Sequence, residues 1–528
     1  MGLSTHVSLS AEVCEALERP GAYPGDPAKV ELRETHISWV FLAGDRAYKL
    51  KKPVVLDFLD YGTPERRRTM CEEELRLNRR LAPEIYLGVR GVALVDGAAR
   101  LTAPDDPNAV DFVVEMRRYH ESQTLASRLE RGELRGDQVS AVARALATFH
   151  AQARQLQGSD RPALTVERRF DRNLHELLDS VQQRGEIGRV LALERFAHAF
   201  ITGHAQELHQ RVAHGRVREG HGDLRAEHVL IGERVAIVDC IEFDAALREL
   251  DVADDLAFLV FDLAAQGGAR FGAQLVQAYR DAGGDPGPDA LIAFYAAYRA
   301  LVRAKVSLVR AAQLPAGSAE HGHESARARD LIAVAEDFAW RARLPLLIIV
   351  CGVPASGKTH LSSALAELSG LPHLSSDVVR KTLGGVSAAD HLPTDAYTQA
   401  WNARTYEELG RDARVALAGH GGAVVDATFR HTADRRAFVA AVGDGSPRLF
   451  VECQAPAVVL ARRAARRERD ARQFSDAGPA VVARERGRWQ PLDEVPADRH
   501  LIVRTDRPCE HIVAEIVGAL DGRLTALR

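Results

Sequence analysis

The stretch LLIIVCGVPASGKTHL, residues 346–361, constrains this chain more than any other. An unbroken apolar run leads into GxxxxGKT and then into the start of a helix. A loop of that kind turns its main-chain N–H groups toward an anion at a helix N-terminus, and glycine permits the turn. Gly352 and Gly357 supply that freedom, Lys358 is placed to reach the β and γ phosphates of a nucleoside triphosphate, and the Thr359 hydroxyl to meet its magnesium ion. Gly352, Ser356, Gly357, Lys358, Thr359 and His360 form the nucleotide-binding set this predicts. A strand as apolar as LLIIVC is buried on both faces, so the expected surroundings are an α/β domain, a parallel sheet covered by helices on either side.

From Leu344 onward apolar strands alternate with amphipathic helices. LPHLSSDVVRKTL ends a second strand with Asp377 and, one turn later, Arg380. GGAVVDATF is a third strand ending in Asp426, placed for outer contact with the magnesium ion. APAVVLARRAARRERDARQFSDAG is dense in arginine and ends in a turn, and HLIVRTDRP is the last strand, with Thr505 to Pro508 expected beside the adenine. The NKxD pattern of guanine readers is absent, and no arginine-finger motif of a motor ATPase is evident. Over about 345–510 these segments resemble the small P-loop kinases such as gluconate kinase, together with the zeta toxins and polynucleotide kinases. The resemblance implies Asp377 as general base, Arg380 as substrate anchor, and Arg462 or Arg466 as lid arginines. Clustered arginines suit the charge that spreads over the equatorial oxygens in phosphoryl transfer.

The first half offers a second set of parts for the same chemistry. Phosphoryl transfer needs a cation on the phosphates, metal ligands, and a residue that takes or orients the attacking hydroxyl. EGHGDLRAEHVLI, residues 219–231, supplies Asp223 as the base, and eleven residues beyond His228 the segment VDCIEF supplies Asp239 at a strand end for magnesium. VLIGERVAIV between them reads as a hairpin that brings the two acids to one edge. Upstream, HISWVFLAGDRAYKLKKPV reads as two strands joined at Gly44-Asp45. Lys49 on the second strand is the expected phosphate contact. Glu74, in a helix opened by the cap and proline of TPERRRTM, is its expected partner. Lys51 shares the strand face of Lys49. GVALVDGAARL and DFVVEMRRY read as two further strands.

Over roughly 30–310 this set resembles the aminoglycoside-phosphotransferase-like kinases, the small-molecule branch of the protein kinase fold. HGDL, the spacing to VDCIEF, and ELDVADDLAFL carry most of the resemblance. It implies Asp223 as base, His228 and Asp239 as metal ligands, and Glu115 to Arg117 as the adenine hinge. Two features depart from that pattern. Position 228 is His rather than Asn, which puts an imidazole where magnesium prefers oxygen, and FLAGDRAY has a single glycine where a phosphate-covering loop is glycine-rich.

At 528 residues the chain exceeds one ordinary core. The expected organisation is an α+β kinase-like domain over 1–312, a linker and connecting helix over 313–343, and an α/β P-loop domain over 344–528. A net charge of −4 with 46% hydrophobic and 27% charged residues gives no electrostatic case for nucleic acid or a membrane. The start of the chain has no signal-peptide pattern and its most apolar run is too short to span a bilayer, which predicts a cytoplasmic protein. Six scattered cysteines without a CxxC pair predict buried free thiols rather than disulfides or zinc. Only seven of the 69 basic residues are lysine, and three of those seven fall in YKLKKP and one in SGKT. A lysine where arginine is the habit marks a need for a compact ammonium.

Together these readings predict a phosphotransferase that uses ATP and Mg2+ on a small hydroxylated molecule. Two alternatives compete with it. One is a 5′-hydroxyl polynucleotide kinase. The other is a regulatory protein whose first half senses a ligand and gates the P-loop domain. Neither acceptor identity nor oligomeric state is readable from the residues.

Overall fold

The computed structural model describes residues 2–56, 59–156, 161–181, 184–386, 398–469 and 479–523. They form two compact units. One comprises Met1–Pro162, Glu207–Ser307 and Ala316–Val334, the other Ala163–Gln206, Leu308–Pro315 and Ala335–Arg528.

The first unit is built on a six-stranded antiparallel sheet in the order Val30–Glu34, Ser38–Ala43, Arg46–Lys51, Asp111–Arg117, Tyr86–Val95, Ala98–Thr102. Ala43 pairs with Arg46 across a two-residue turn in which Gly44 has φ +62°. GVALVDGAARL, expected as one strand, is itself a hairpin. Asp96 (φ +52°) and Gly97 (φ +75°) both take the left-handed conformation that a tight two-residue hairpin turn requires, so the chain reverses there.

Side chains alternate across this sheet. Phe41, Tyr48, Leu50, Val92 and Val113 pack on one face with Val13 and Leu17 of the helix Gly2–Leu17. Ala47, Val114 and Met116 pack on the other with Cys71 of the helix Pro64–Asn78 and with Leu230 and Val238. Because the strand period is two, Lys49 and Lys51 share the face of Ala47 and point toward that helix. The helix is fixed at its start by Thr63, whose hydroxyl accepts the Arg66 N–H at 3.3 Å. The rest of the unit is mainly helical, apart from the small hairpin Val229–Ile231/Val235–Ile237 and the short pairs Val217–Glu219/Glu249–Asp251 and Val55–Leu56/Leu59–Asp60.

The second unit holds a five-stranded parallel sheet in the order His373–Ser375, Gly422–Asp426, Leu346–Cys351, Arg448–Gln454, His500–Arg504. Leu346, Ile348 and Val350 join one core with Leu361, Leu365, Ile512 and Ile516, while Leu347, Ile349 and Cys351 join another with Tyr406, Leu409 and Phe438. The strand is thus apolar on both faces because helices cover both. The helices Pro162–Ser180 and Arg184–Gly203 also belong to this unit. Arg189 pairs with Glu336 at 2.6 and 2.8 Å, and Arg343 lies 4.4 Å from the Phe196 ring centre while bonding Asp521 at 2.7 and 2.9 Å.

The helix Ala319–Ala342 takes up most of the span 313–343 expected as linker and connecting helix. All six cysteines are free, and five are buried. No helix among the described residues is long and apolar enough to cross a membrane.

Candidate functional site

In the first unit, Lys49 Nζ donates to Glu74 Oε1 at 2.9 Å and to Asp239 Oδ1 at 2.8 Å. Lys51, one pleat further, takes the other oxygen of Glu74 at 2.7 Å and also pairs with Glu242, which accepts from the Tyr61 hydroxyl at 2.6 Å. Glu74 is fully buried, so it is no solvated member of the Glu72–Glu74 run. Burial works against both ammonium groups, but the carboxylates outweigh it, Asp239 foremost for Lys49 and Glu242 for Lys51, and both lysines are held charged. Lys49 in turn holds the Asp239 carboxyl well below the usual carboxylate range. Asp239 has φ +67°, and its N–H donates to the Tyr86 hydroxyl at 3.2 Å.

Asp223 sits on a loop held by acids of the helix Val252–Ala265, of which Asp254 and Asp255 are buried. Asp255 accepts the N–H groups of His221 (2.7 Å) and Gly222 (3.0 Å) and bonds His150 Nε2 at 3.1 Å. Asp262 accepts the Ala226 N–H at 2.7 Å. Arg299 joins Asp254 (2.6 Å) to the Gly222 carbonyl (3.1 Å). Gly222, at φ +87°, has no room for a side chain, since a Cβ there would lie 2.9 Å from the Leu247 carbonyl oxygen. Burial alone would raise the Asp223 pKa, but the charges of Arg225 and Arg303 prevail and lower it, so the carboxylate is ionised.

His228 is buried on the same loop, its Nδ1 2.9 Å from the Asp223 carbonyl and its Nε2 3.0 Å from Arg225 Nη2. A guanidinium only donates, so Nε2 accepts and the proton is assigned to Nδ1. In this arrangement neither ring nitrogen offers a lone pair to a cation, and Asp239 Oδ2 is 3.8 Å from Nε2. The half-exposed Asp239 carboxylate is the oxygen donor here that suits magnesium.

Glu115 and Arg117 end a strand paired on both sides. Glu115 accepts from Arg90 Nε at 2.8 Å, the Arg117 N–H donates to the Ile85 carbonyl at 2.8 Å, and the Arg118 N–H to the Asp45 carbonyl at 2.8 Å. Tyr119 closes the same DFVVEMRRY segment. Burial, then the charge of Asp239, pushes its hydroxyl up to about 12.

In the second unit the loop after Leu346–Cys351 takes the glycine conformations its pattern requires. Gly352 has φ +141° and a Cβ there would lie 2.7 Å from the Cys453 carbonyl oxygen, while Gly357 at φ +96° opens the helix Lys358–Ser369. Ser356 is fully buried. Its hydroxyl has no hydrogen-bond partner among the described residues, and its carbonyl accepts from Thr505 Oγ1 at 2.6 Å. Lys358 Nζ donates to the Val353 carbonyl at 3.2 Å. Thr359 and His360 are exposed.

Asp426 is buried, which raises its pKa against the pull of Lys358 and the Thr359 hydroxyl, and Asp377 raises it further. Thr359 and Asp426 are oxygen donors that suit magnesium. Asp377 is exposed at the start of the Ser376–Leu383 helix, its N–H capped by Ser375 Oγ at 3.3 Å. Arg380 is buried, and its charge acts on Tyr406 and Asp434. Arg462 and Arg466 are exposed on the helix Ala457–Arg469. The arginine that reaches the loop is Arg463, which donates to the Thr505 carbonyl at 2.6 Å, to Thr505 Oγ1 at 3.3 Å and to the Ala355 carbonyl at 3.5 Å. The turn expected to follow, 470–478, lies outside the described residues.

A sequence family described as an AAA domain matches residues 347–492. Over 411 residues the chain is 36% identical to the uncharacterized protein Rv2004c of Mycobacterium tuberculosis (strain H37Rv), spanning 76% of this chain and 79% of the relative. It stands in the same relation to the uncharacterized protein Mb2027c of Mycobacterium bovis, at 36% identity and the same coverage. The chain belongs to the family of these proteins.

Among solved structures, the first half is similar to a choline/ethanolamine kinase family protein from Mesorhizobium loti (16% identity, 61% of this chain and 99% of that one, TM-score 0.37). It is also similar to a putative aminoglycoside phosphotransferase from Ralstonia eutropha JMP134 (16% identity, 63% and 98%, TM-score 0.34). The second half is similar to a gluconokinase from Sinorhizobium meliloti 1021 (23% identity, 34% and 93%, TM-score 0.25). An antiparallel sheet with helices in the first half and a parallel P-loop sheet in the second are the two folds the sequence leads one to expect, and the P-loop domain implies nucleotide binding.

Proposed function

We propose that this chain is an ATP- and magnesium-dependent phosphotransferase acting on hydroxyl groups of small molecules such as sugars or amino sugars. One site lies in the P-loop half and one in the kinase-like first half. The observation that carries the reading is the alignment of strand ends in the parallel sheet. Asp426 is in register with Val350 on one neighbour and Ser375 on the other, so the P-loop, Asp426 and Asp377 leave the sheet side by side at its carboxyl edge. That edge is where open α/β sheets bind ligands.

In this reading the loop N–H groups and Lys358 hold the β and γ phosphates. The acceptor hydroxyl gives its proton to Asp377 as its oxygen bonds the γ phosphorus, the bond from phosphorus to the β–γ bridging oxygen breaks, and ADP leaves. Arg380 anchors the acceptor, and Arg463 rather than Arg462 or Arg466 is the arginine near the phosphates. Magnesium, held by Thr359 and Asp426, neutralises phosphate charge when bound. In the first half Asp223 takes the acceptor proton, Lys49 holds the phosphates with Glu74 orienting it, and Asp239 is the metal ligand.

A second reading, a first half that binds a ligand and regulates the P-loop domain, is favoured by one observation: both nitrogens of His228 are already engaged. Both readings are tested by supplying ATP, magnesium and a metabolite extract to the wild type, Asp223→Asn and Lys358→Ala, with products identified by mass. The proposal expects each variant to lose a different phosphorylated product. Loss in Lys358→Ala alone would leave the regulatory reading, and phosphorylation unaffected by either change would overturn both.

A further inference from the structure

Arginines gather around Asp223 in a way the phosphoryl-transfer roles above do not use. Arg299 pins the helix Asp289–Gln313 to the loop through Asp254 and the Gly222 carbonyl, at 2.6 and 3.1 Å. Arg303 follows four residues later, on the same helix face and one turn along. Its charge acts on Asp223, Arg225 and Glu227, and Arg327 of the Ala319–Ala342 helix acts on it in turn.

The two arginines whose charges lower the Asp223 pKa differ in how they are satisfied. Arg225 is fully engaged, donating to Asp223 Oδ2 at 3.1 Å and His228 Nε2 at 3.0 Å and pairing with Glu227. Arg303 is half-buried and has no hydrogen bond or ion pair among the described residues. Burial, together with the like charges of Arg225 and Arg327, works against its cation. A guanidinium is a planar fork of N–H donors that matches the oxygens of a carboxylate or phosphate, and a partly desolvated cation gains most from such a partner.

We propose that Arg303, flanked by Arg225, is an anion-binding subsite beside Asp223, and that the acceptor of the first-half site is an alcohol carrying a phosphate or carboxylate group. This rests on the reading of Asp223 as the phosphoryl-transfer base. An ammonium-bearing acceptor would meet the arginines as a like charge. The terminal phosphate of ATP offers the same oxyanion chemistry, so the test separates the two sources.

The experiment uses the full chain with Lys358→Ala, which silences the P-loop. Binding of inorganic phosphate is followed by 31P line broadening, with and without Arg303→Met. Transfer from ATP is assayed with glycerol 3-phosphate, glycerate, glucose, choline and kanamycin as acceptors, with Asp223→Asn as the blank. The proposal expects phosphate broadening that Arg303→Met removes, and Asp223-dependent transfer to the anionic alcohols. Arg303→Met should raise the acceptor KM by at least about tenfold, with Arg303→Lys restoring part of it and the ATP KM unchanged.

Asp223-dependent transfer to glucose, choline or kanamycin that ignores Arg303→Met would overturn the anion subsite and keep the kinase reading. A rise confined to the ATP KM would assign Arg303 to the nucleotide and overturn the acceptor claim. Arg303-dependent phosphate binding without any Asp223-dependent transfer would keep the anion subsite and overturn the kinase reading.

Discussion

The two halves hold their charged groups in different ways. The P-loop is a main-chain device, in which Lys358 rests on the Val353 carbonyl and the glycines set the backbone that faces the ligand. The first half is a side-chain device, in which Lys49, Lys51, Glu74, Asp239 and Glu242 come from separate segments and bond one another. A main-chain site leaves stability nearly untouched when one side chain is lost, whereas an interlocked one leaves its buried partners unpaired.

That contrast is sharpest at Lys51. Lys51→Met leaves Glu242 without its cation and Glu74 with Lys49 alone, and is expected to destabilise the first half by about 3–5 kcal/mol in urea unfolding. Lys49→Met should cost clearly less, because Asp239 is half-exposed and Lys51 still holds Glu74. Equal losses would contradict the difference in burial.

Lys358→Ala is the opposite case. It should leave the unfolding midpoint unchanged while P-loop phosphoryl transfer falls on the order of 10²–10³-fold. A large loss of stability would show that the loop depends on its side chain after all.

Asp255→Asn probes the support of the Asp223 loop. One amide oxygen cannot replace a carboxylate that accepts from His221, Gly222 and His150, so a loss of about 1–3 kcal/mol is expected in unfolding, together with lower Asp223-dependent transfer.

The smallest effect is the acid response of Glu219, which Arg76, Arg80 and Arg248 surround. Burial opposes its charge, but the arginines lower its pKa from 4.5 to about 2. A folded pKa below the unfolded one means that the stabilisation is present above 4.5 and is lost as pH falls toward 2. By pH 4 the loss should be about 1 kcal/mol or less. The pH slope of unfolding in that window should be shallower in Glu219→Gln than in the wild type.

The same contrast governs how much the linear order of residues reveals. The P-loop is contiguous, and strand, loop and helix follow from its pattern alone. The first-half site is legible as an order of Lys49, Glu74, Asp223 and Asp239, but its side-chain bonds are not. Lys49 and Lys51 share a strand face, so alternation does not tell them apart, and nothing in VDCIEF announces that Glu242 pairs with Lys51. His228 stands out by residue type, yet its engagement by Arg225 depends on how the loop turns back on itself.

Helix phase hides a further residue. Arg462, Arg463 and Arg466 lie in one arginine run, and neighbouring positions differ by about 100° around the axis, so the run does not say which one meets the loop. Asp96-Gly97 is a turn signal legible in the sequence, but the apolar residues on either side of it read as a single strand. The helices of 163–206 pack with the P-loop unit because an amphipathic pattern states that a face will be covered, not by what.

The central claim is that both halves hold a nucleotide. Titration calorimetry of a non-hydrolysable ATP analogue with magnesium tests it most directly. The account predicts two sites per chain, one removed by Lys358→Ala and the other weakened by Lys49→Met. A single site, lost in Lys358→Ala and indifferent to Lys49→Met, would contradict it.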